Sequence, residues 1–138
     1  MKLDYASQWL PDYGIVASPR LTAVFTNPKT GISLPVFCLV DSGSAHVLLN
    51  AEVGKALGVN IPSGEAVSYG GIGGGVIGYK HRVRLRLAGD RKEFEVECAF
   101  ADINRTEGLL GQEGFFDNYK VVFEKYKNQF EVIPRRRR

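Results

Sequence analysis

Asp41 is the residue of this 138-residue chain whose setting most invites chemistry. It follows the apolar run Val36 to Val40 with no polar spacer and precedes Ser42-Gly43-Ser44. A carboxylate so placed lies at the edge of a core. Asp, Ser and Gly are also the residues that ordinary turns prefer, so a strand ending in a turn explains the same four letters. No other Asp has an apolar strand before it and a Ser-Gly pair after it. The second concentration of interest is glycine, with six of the sixteen between Gly70 and Gly78. Clustered glycine marks a loop that moves or that another backbone approaches closely. Gly73-Gly74-Gly75-Val76-Ile77-Gly78 satisfies the Gly-x-Gly-x-x-Gly spacing of dinucleotide sites, yet such sites need a helix next, and Tyr79 to Leu87 alternates like a strand. No Gly-Lys-Ser/Thr is present for a phosphate loop. Cys38 and Cys98 lie in apolar runs without Cys or His at ligand spacing and are expected to be buried thiols. Neither a metal nor a cofactor is called for.

The elements that must position these residues are mainly strands. Leu21 to Phe25 and Ile32 to Val40 flank Asn27-Pro28-Lys29-Thr30-Gly31, a hairpin pattern. Val47 to Leu49 extends the β pattern, and Ala51 to Leu57, closed by Gly58, leaves room for one short helix. Glu65 to Leu87 predicts a long hairpin with its tip at Gly70 to Gly75, and Phe94 to Phe100 predicts a further strand. Gln112 to Asn118 suggests a helical turn, and Tyr119 to Phe123 with Gln129 to Ile133 a closing hairpin. Met1 to Pro19, aromatic and broken by Pro11, Gly14 and Pro19, suggests an irregular arm laid over the core.

Length and composition bound the answer to one soluble domain, since 138 residues suit a single core and 44% hydrophobic with 24% charged is a globular balance. The net charge of +3 becomes −1 once Arg135 to Arg138 are set aside. Arg82, Arg84 and Arg86 alternate with Val83, Leu85 and Leu87, the mark of a half-buried strand with its polar face in water. No basic stripe interleaved with aromatics accompanies the tail, so no nucleic-acid partner is expected. No apolar stretch of membrane-spanning length and no signal-like start occur, so no membrane partner is expected and a reducing cytoplasm is the default compartment.

Leu39-Val40-Asp41-Ser42-Gly43-Ser44 resembles the apolar-apolar-Asp-Ser/Thr-Gly-Ser/Ala signature of aspartic proteases. Gly70-Gly71-Ile72-Gly73-Gly74 resembles the flap tip of the retroviral enzymes, and Gly108-Leu109-Leu110-Gly111 the apolar-apolar-Gly segment before their C-terminal helix. Three segments in the right order, within a match from about Leu21 to Ile133, resemble a retropepsin-like, single-domain aspartic protease. The resemblance implies a mostly β, closed barrel-like acid protease fold with one or two short helices and a glycine-rich flap hairpin. It divides the chain into an arm (1–19), the protease domain (20–134) and a basic tail (135–138).

It also implies a mechanism. Two carboxylates a few ångströms apart cannot both ionise cheaply, so in aspartic proteases one keeps a proton while the other draws a proton from the attacking water. One Asp-Ser-Gly per chain makes the second carboxylate Asp41 of another copy, hence a homodimer. Ser42, Gly43 and Ser44 would support the catalytic loop, with the Ser42 hydroxyl reaching across the two-fold axis. Gly70 to Gly74 would close over an extended polypeptide, with Ile72 excluding water. Ala45, His46 and Leu110 are the candidate pocket residues, His46 being alternatively a surface or capping group. Two departures stand out. Ala45 and His46 replace acidic residues, and Gln112 replaces an Arg that pairs with one of those acids; losing both together avoids an unpaired buried charge. The rival reading keeps the fold as a catalytically silent, dimeric peptide-binding module.

Overall fold

The structure is a computed structural model that describes residues 1–70, 75–104 and 106–136. Its organising pair is β4 (Arg20–Thr26) and β5 (Ser33–Val40), which run antiparallel with Leu21 opposite Cys38 and Ala23 opposite Val36. Period-2 alternation turns Leu21, Ala23, Phe25, Val36, Cys38 and Val40 to one side, and all six are buried. Asn27 closes the turn. Its Oδ1 accepts from Lys29 N (3.0 Å), while its Nδ2 donates to Leu57 O (3.0 Å) at the end of the helix. That bond satisfies a carbonyl the helix leaves unpaired, which is why a buried polar side chain is tolerated here.

The strands that follow along the chain are β6 (Val47–Asn50), β7 (Glu65–Tyr69), β8 (Val76–Leu87), β9 (Glu93–Ala101), β10 (Gly108–Leu110), β11 (Tyr119–Glu124) and β12 (Gln129–Pro134). Hydrogen bonding runs β4-β5-β10-β6-β9-β8 and returns from β8 to β4, closing a six-strand barrel, with β7 added beside β8. Closure removes the open edges that an isolated sheet would expose. Phe25, Leu49, Leu85, Phe100, Leu110 and Phe115 fill the interior and are fully buried. On the outer face, Arg82, Arg84 and Arg86 stand opposite Glu97, Glu95 and Glu93. The alternating arginines are thus one rail of a cross-strand ladder of opposite charge, an arrangement that favours this register over a slipped one.

The expected short helix is α1 (Ala51–Ala56), capped by Asn50, whose side chain accepts from Glu52 N, and ended by Gly58 at φ +75°. Both cysteines are free and buried, and burial pushes the Cys38 thiol up to about 12. Two expectations are corrected. Met1 to Pro19 is not irregular: β1 (Lys2–Asp4) pairs with β12, and β2 (Ala6–Leu10) pairs with β3 (Gly14–Ser18) in a hairpin of its own. Pro11 and Gly14, read as interruptions, flank the turn of that hairpin. Gln112 to Asn118 is not a regular helix, because Glu113 (ψ 131°) and Gly114 (φ +95°) break it, leaving a tight irregular turn that drives Phe115 into the core.

Phe115 stacks on Tyr119 at 5.3 Å, and the Tyr119 hydroxyl donates to Asp90 Oδ2 at 2.7 Å. That bond, followed by one from the Lys92 amide, holds the Asp90 carboxyl below its ordinary value. A lowered carboxyl contributes stability that is present above its unfolded pKa, ordinarily 3.8, and lost as pH falls through the folded one. Tyr119→Phe removes the bond to Asp90 and, with Asp90 largely in screening solvent, is expected to cost no more than about 1 kcal/mol near neutral pH. In urea melts the gap from the parent chain should begin to narrow as pH falls below about 4, where the unfolded Asp90 takes up its proton, and close once pH has passed the lower folded-state pKa.

Candidate active site

The parallel pairing of β10 with β5 sets Leu110 beside Val40, while the antiparallel pairing with β6 sets Gly108 beside Leu49. β10 therefore lies between two strands joined by the loop Asp41 to His46, and that loop must pass around the end of β10. Asp41 N donates to Leu110 O (3.0 Å), Gln112 N to Ser44 O (2.8 Å) and Glu113 N to Ala45 O (2.9 Å), so the loop is stitched to the outgoing chain on both sides. Gly111 sits where they cross. A Cβ there would run into the carbonyl oxygens of Ser44 and His46. Its φ of −108° is open to any residue, so glycine is required for space and not for conformation.

Within the loop, Asp41 Oδ1 accepts from Gly43 N (2.9 Å) and Asp41 O from Ser44 N (3.2 Å), which fixes the carboxylate over its own turn. Asp41 is half-buried, while Val40 before it is buried and Ser42 and Gly43 are exposed, the core-edge setting expected of it. Ser44 Oγ donates to His46 O (2.8 Å) and holds the loop's far end.

Gln112 Nε2 donates to Ser42 O at 2.7 Å. The neutral amide thus reaches from the irregular turn after β10 to the residue beside Asp41. Its reach went unread in the sequence, where Gln112 registered only as a missing arginine.

The pocket candidates separate. Ala45 is exposed, and His46 is half-buried with its ring edge-on to Tyr69 (centroids 6.3 Å apart) and Nε2 3.5 Å from Glu113 Oε2. His46 Nδ1 is buried and unpartnered among the described residues. Leu110 is corrected: it is fully buried in the barrel interior, and only its backbone serves the loop. Strand alternation turns its neighbour Leu109 outward, where Leu109, Leu48, Tyr69, Val76 and Ile103 form a second apolar cluster over Ala99 and Ala101. Burial, with Cys98 and Glu97 nearby, raises the Tyr69 phenol and keeps it neutral. Tyr69, Leu48 and Leu109 were not singled out in the sequence, although the alternation that buries Leu110 assigns Leu109 to the other face. Gly70 is exposed at the end of β7, and the flap candidates Gly71, Ile72, Gly73 and Gly74 lie outside the described residues. No group of three or more His, Cys, Asp and Glu side chains suited to a metal occurs among the described residues.

A closed barrel whose one Asp-Ser-Gly loop is laced around a central strand is the acid protease architecture in a single lobe. The chain belongs to the aspartyl protease family, whose profile matches residues 30–113, well over half of its length. Among solved structures, it is similar to a retropepsin-like aspartic protease from Rickettsia conorii (14% identity, TM-score 0.63, covering 96% of this chain and 98% of that one). It is also similar to EIAV protease complexed with the inhibitor HBY-793 (20% identity, TM-score 0.52, 69% of this chain and 82% of that one). No curated protein sequence matches it. The family makes it an aspartyl protease, and the likeness to these two structures gives it the retropepsin-like fold.

Two substitutions separate the frame of the site from its tuning. Gly111→Ala is expected to destabilise the fold by about 1–3 kcal/mol or more, because backbone must move to admit the methyl group. Gln112→Ala, which frees one exposed bond, should change stability by no more than about 1 kcal/mol. Under the Asp41 mechanism proposed below it should lower kcat roughly tenfold with KM little changed, since the lost bond holds the loop at Ser42, beside Asp41. Thermal melts and steady-state peptide cleavage on the two variants check both.

Proposed function

We propose that the enzyme works as a homodimer in which the Asp41 carboxylates of two copies share one proton and activate one water between them. The observation that carries this reading is the fixed, half-buried Asp41, at the end of a core strand and in the only Asp-Ser-Gly of the chain. The ionised carboxylate takes a proton from the water as its oxygen attacks the scissile carbonyl. The protonated carboxyl hydrogen-bonds the developing oxyanion, and a proton then passes to the leaving amine. Ser42, exposed beside Asp41, is assigned to reach the partner copy, and Gly43 and Ser44 to hold the loop in shape.

The substrate in this reading is an extended polypeptide, lying between the catalytic loop and the β7–β8 hairpin as an added strand. The apolar cluster of Leu48, Tyr69, Val76, Ile103 and Leu109 supports a preference for apolar side chains around the cut. His46 and Glu113 supply the polar groups on the same side. Gly70 to Gly74, with Ile72 among them, are assigned to closing over the bound peptide, because glycine permits the backbone approach and the turning that closure requires.

Incubation with a mixed peptide library between about pH 4 and 7, with and without a statine-type inhibitor, tests the class, and inhibitor-sensitive cleavage is the expected result. Asp41→Asn should leave a folded protein with less than about one-hundredth of the parent activity, since the amide keeps the shape but cannot accept the proton. Specific activity should fall on dilution in step with dissociation seen by sedimentation. A chain fully active as a monomer would refute the shared site.

A further inference from the structure

We infer that the outer face of the β2–β3 hairpin is the surface on which a second copy of this chain docks, with Trp9, Tyr13 and Ile15 as its contact. The inference rests on the homodimeric reading above and names where the dimer is held.

Trp9 and Ile15 are direct cross-strand partners, and Tyr13 lies in the adjoining turn. They are 68%, 77% and 72% exposed, three large apolar side chains in seven residues. Single exposed hydrophobics are commonplace, whereas a contiguous group on one face marks an interaction site. The opposite side of the hairpin is tied down: Arg20 donates to Gln8 Oε1 (3.0 Å) and to Ser18 Oγ (3.0 Å). Among the described residues the hairpin's strands pair only with each other. A lone two-stranded hairpin is marginally stable in water, so one held rigidly with its apolar side outward gains from being covered.

A second copy fits that face for two reasons. The hairpin joins the barrel at Pro19, whose carbonyl accepts from Val40 N (2.9 Å), one residue before Asp41. A shared dyad brings the two Asp41 loops together across a two-fold axis, and a five-residue strand reaches only about 17 Å, so the hairpin stays close to that axis. A two-fold contact also sets like against like, which disfavours charge. Ala6 to Ser18 carries a single ionisable charge, Asp12, in thirteen residues. The three side chains offer roughly 300–400 Å² per copy, about half of what a standard interface needs from each partner. The loop around Ser42 is the natural source of the rest.

Trp9 is the only tryptophan in the chain, so its emission reports on this surface in the unmodified protein. Fluorescence and acrylamide quenching are followed across a dilution series beside sedimentation and peptide cleavage. As dimer forms, emission should move to the blue and quenching fall several-fold. Trp9→Ser/Ile15→Ser, its fold checked by circular dichroism, should raise the dimer dissociation constant at least tenfold while keeping activity per dimer. An active dimer in which Trp9 stays fully quenchable overturns the hairpin assignment and leaves the shared site standing. Trp9 protected only when peptide is added assigns the face to substrate and likewise overturns it. A monomer with full activity removes the shared site and this inference together. Should the double variant fail to fold, the quenching of the parent chain still decides.

Discussion

The passage of Gly111 beneath the loop from Asp41 to His46 is the constraint on which the site depends. Two stretches of backbone cross there with carbonyl oxygens where a side chain would begin. Around that crossing, bonds from Asp41 to Leu110, Gln112 to Ser44 and Glu113 to Ala45 are all main-chain bonds. The carboxylate is therefore placed by backbone, with side chains adding only refinements such as the Gln112 amide on Ser42. Backbone stitching of this kind tolerates wide change in side chains, which suits a fold shared with proteins of 14% and 20% identity.

What was legible in the sequence followed from short-range rules. Alternation in Leu21 to Phe25 and Ile32 to Val40, punctuation by Asn27 to Gly31, and the Asn50 and Gly58 helix ends are each written within a few residues of where they act. Asp41 stood out because core strand and turn meet at it. What was not legible depends on partners far along the chain. Lys2 to Asp4 becomes a strand only because β12, more than a hundred residues later, offers it an edge. Gln112 reaches Ser42 across seventy residues of sequence. Leu110 was placed in the pocket by the family resemblance, while the pleat of β10 turns its side chain into the barrel. The irregular turn after Gly111 was misjudged for a local reason: Gly114 takes a left-handed conformation that its letter permits without requiring.

Charge is arranged to specify rather than to stabilise. The arginines of β8 and the glutamates of β9 face each other in order on an exposed surface, where each pair contributes little to stability. A slip of one residue would instead place arginines opposite Val96 and Phe94 and turn charges toward the core, so the ladder penalises the wrong register more than it rewards the right one. Lys80, close to both Glu65 (4.0 Å) and Glu97 (3.5 Å), extends the same pattern to β7.

β8 serves two structures at once. From Tyr79 to Arg86 it is paired with β9 as part of the barrel wall, while Val76, Ile77 and Gly78 are paired with β7 alone. Mechanically it is a projecting beam, clamped in the sheet at Tyr79, propped beyond it by the packing of Val76 and Tyr69 on Ala99 and Ala101, with Gly78 at the root. Gly78 leaves room for the Tyr69 ring, which lies against it where a side chain would stand. A load applied at Val76 is then felt as bending at this root and passes directly into the strand that closes the barrel against β4. Stiffness of the hairpin and rigidity of the barrel are thereby carried by one uninterrupted stretch of backbone.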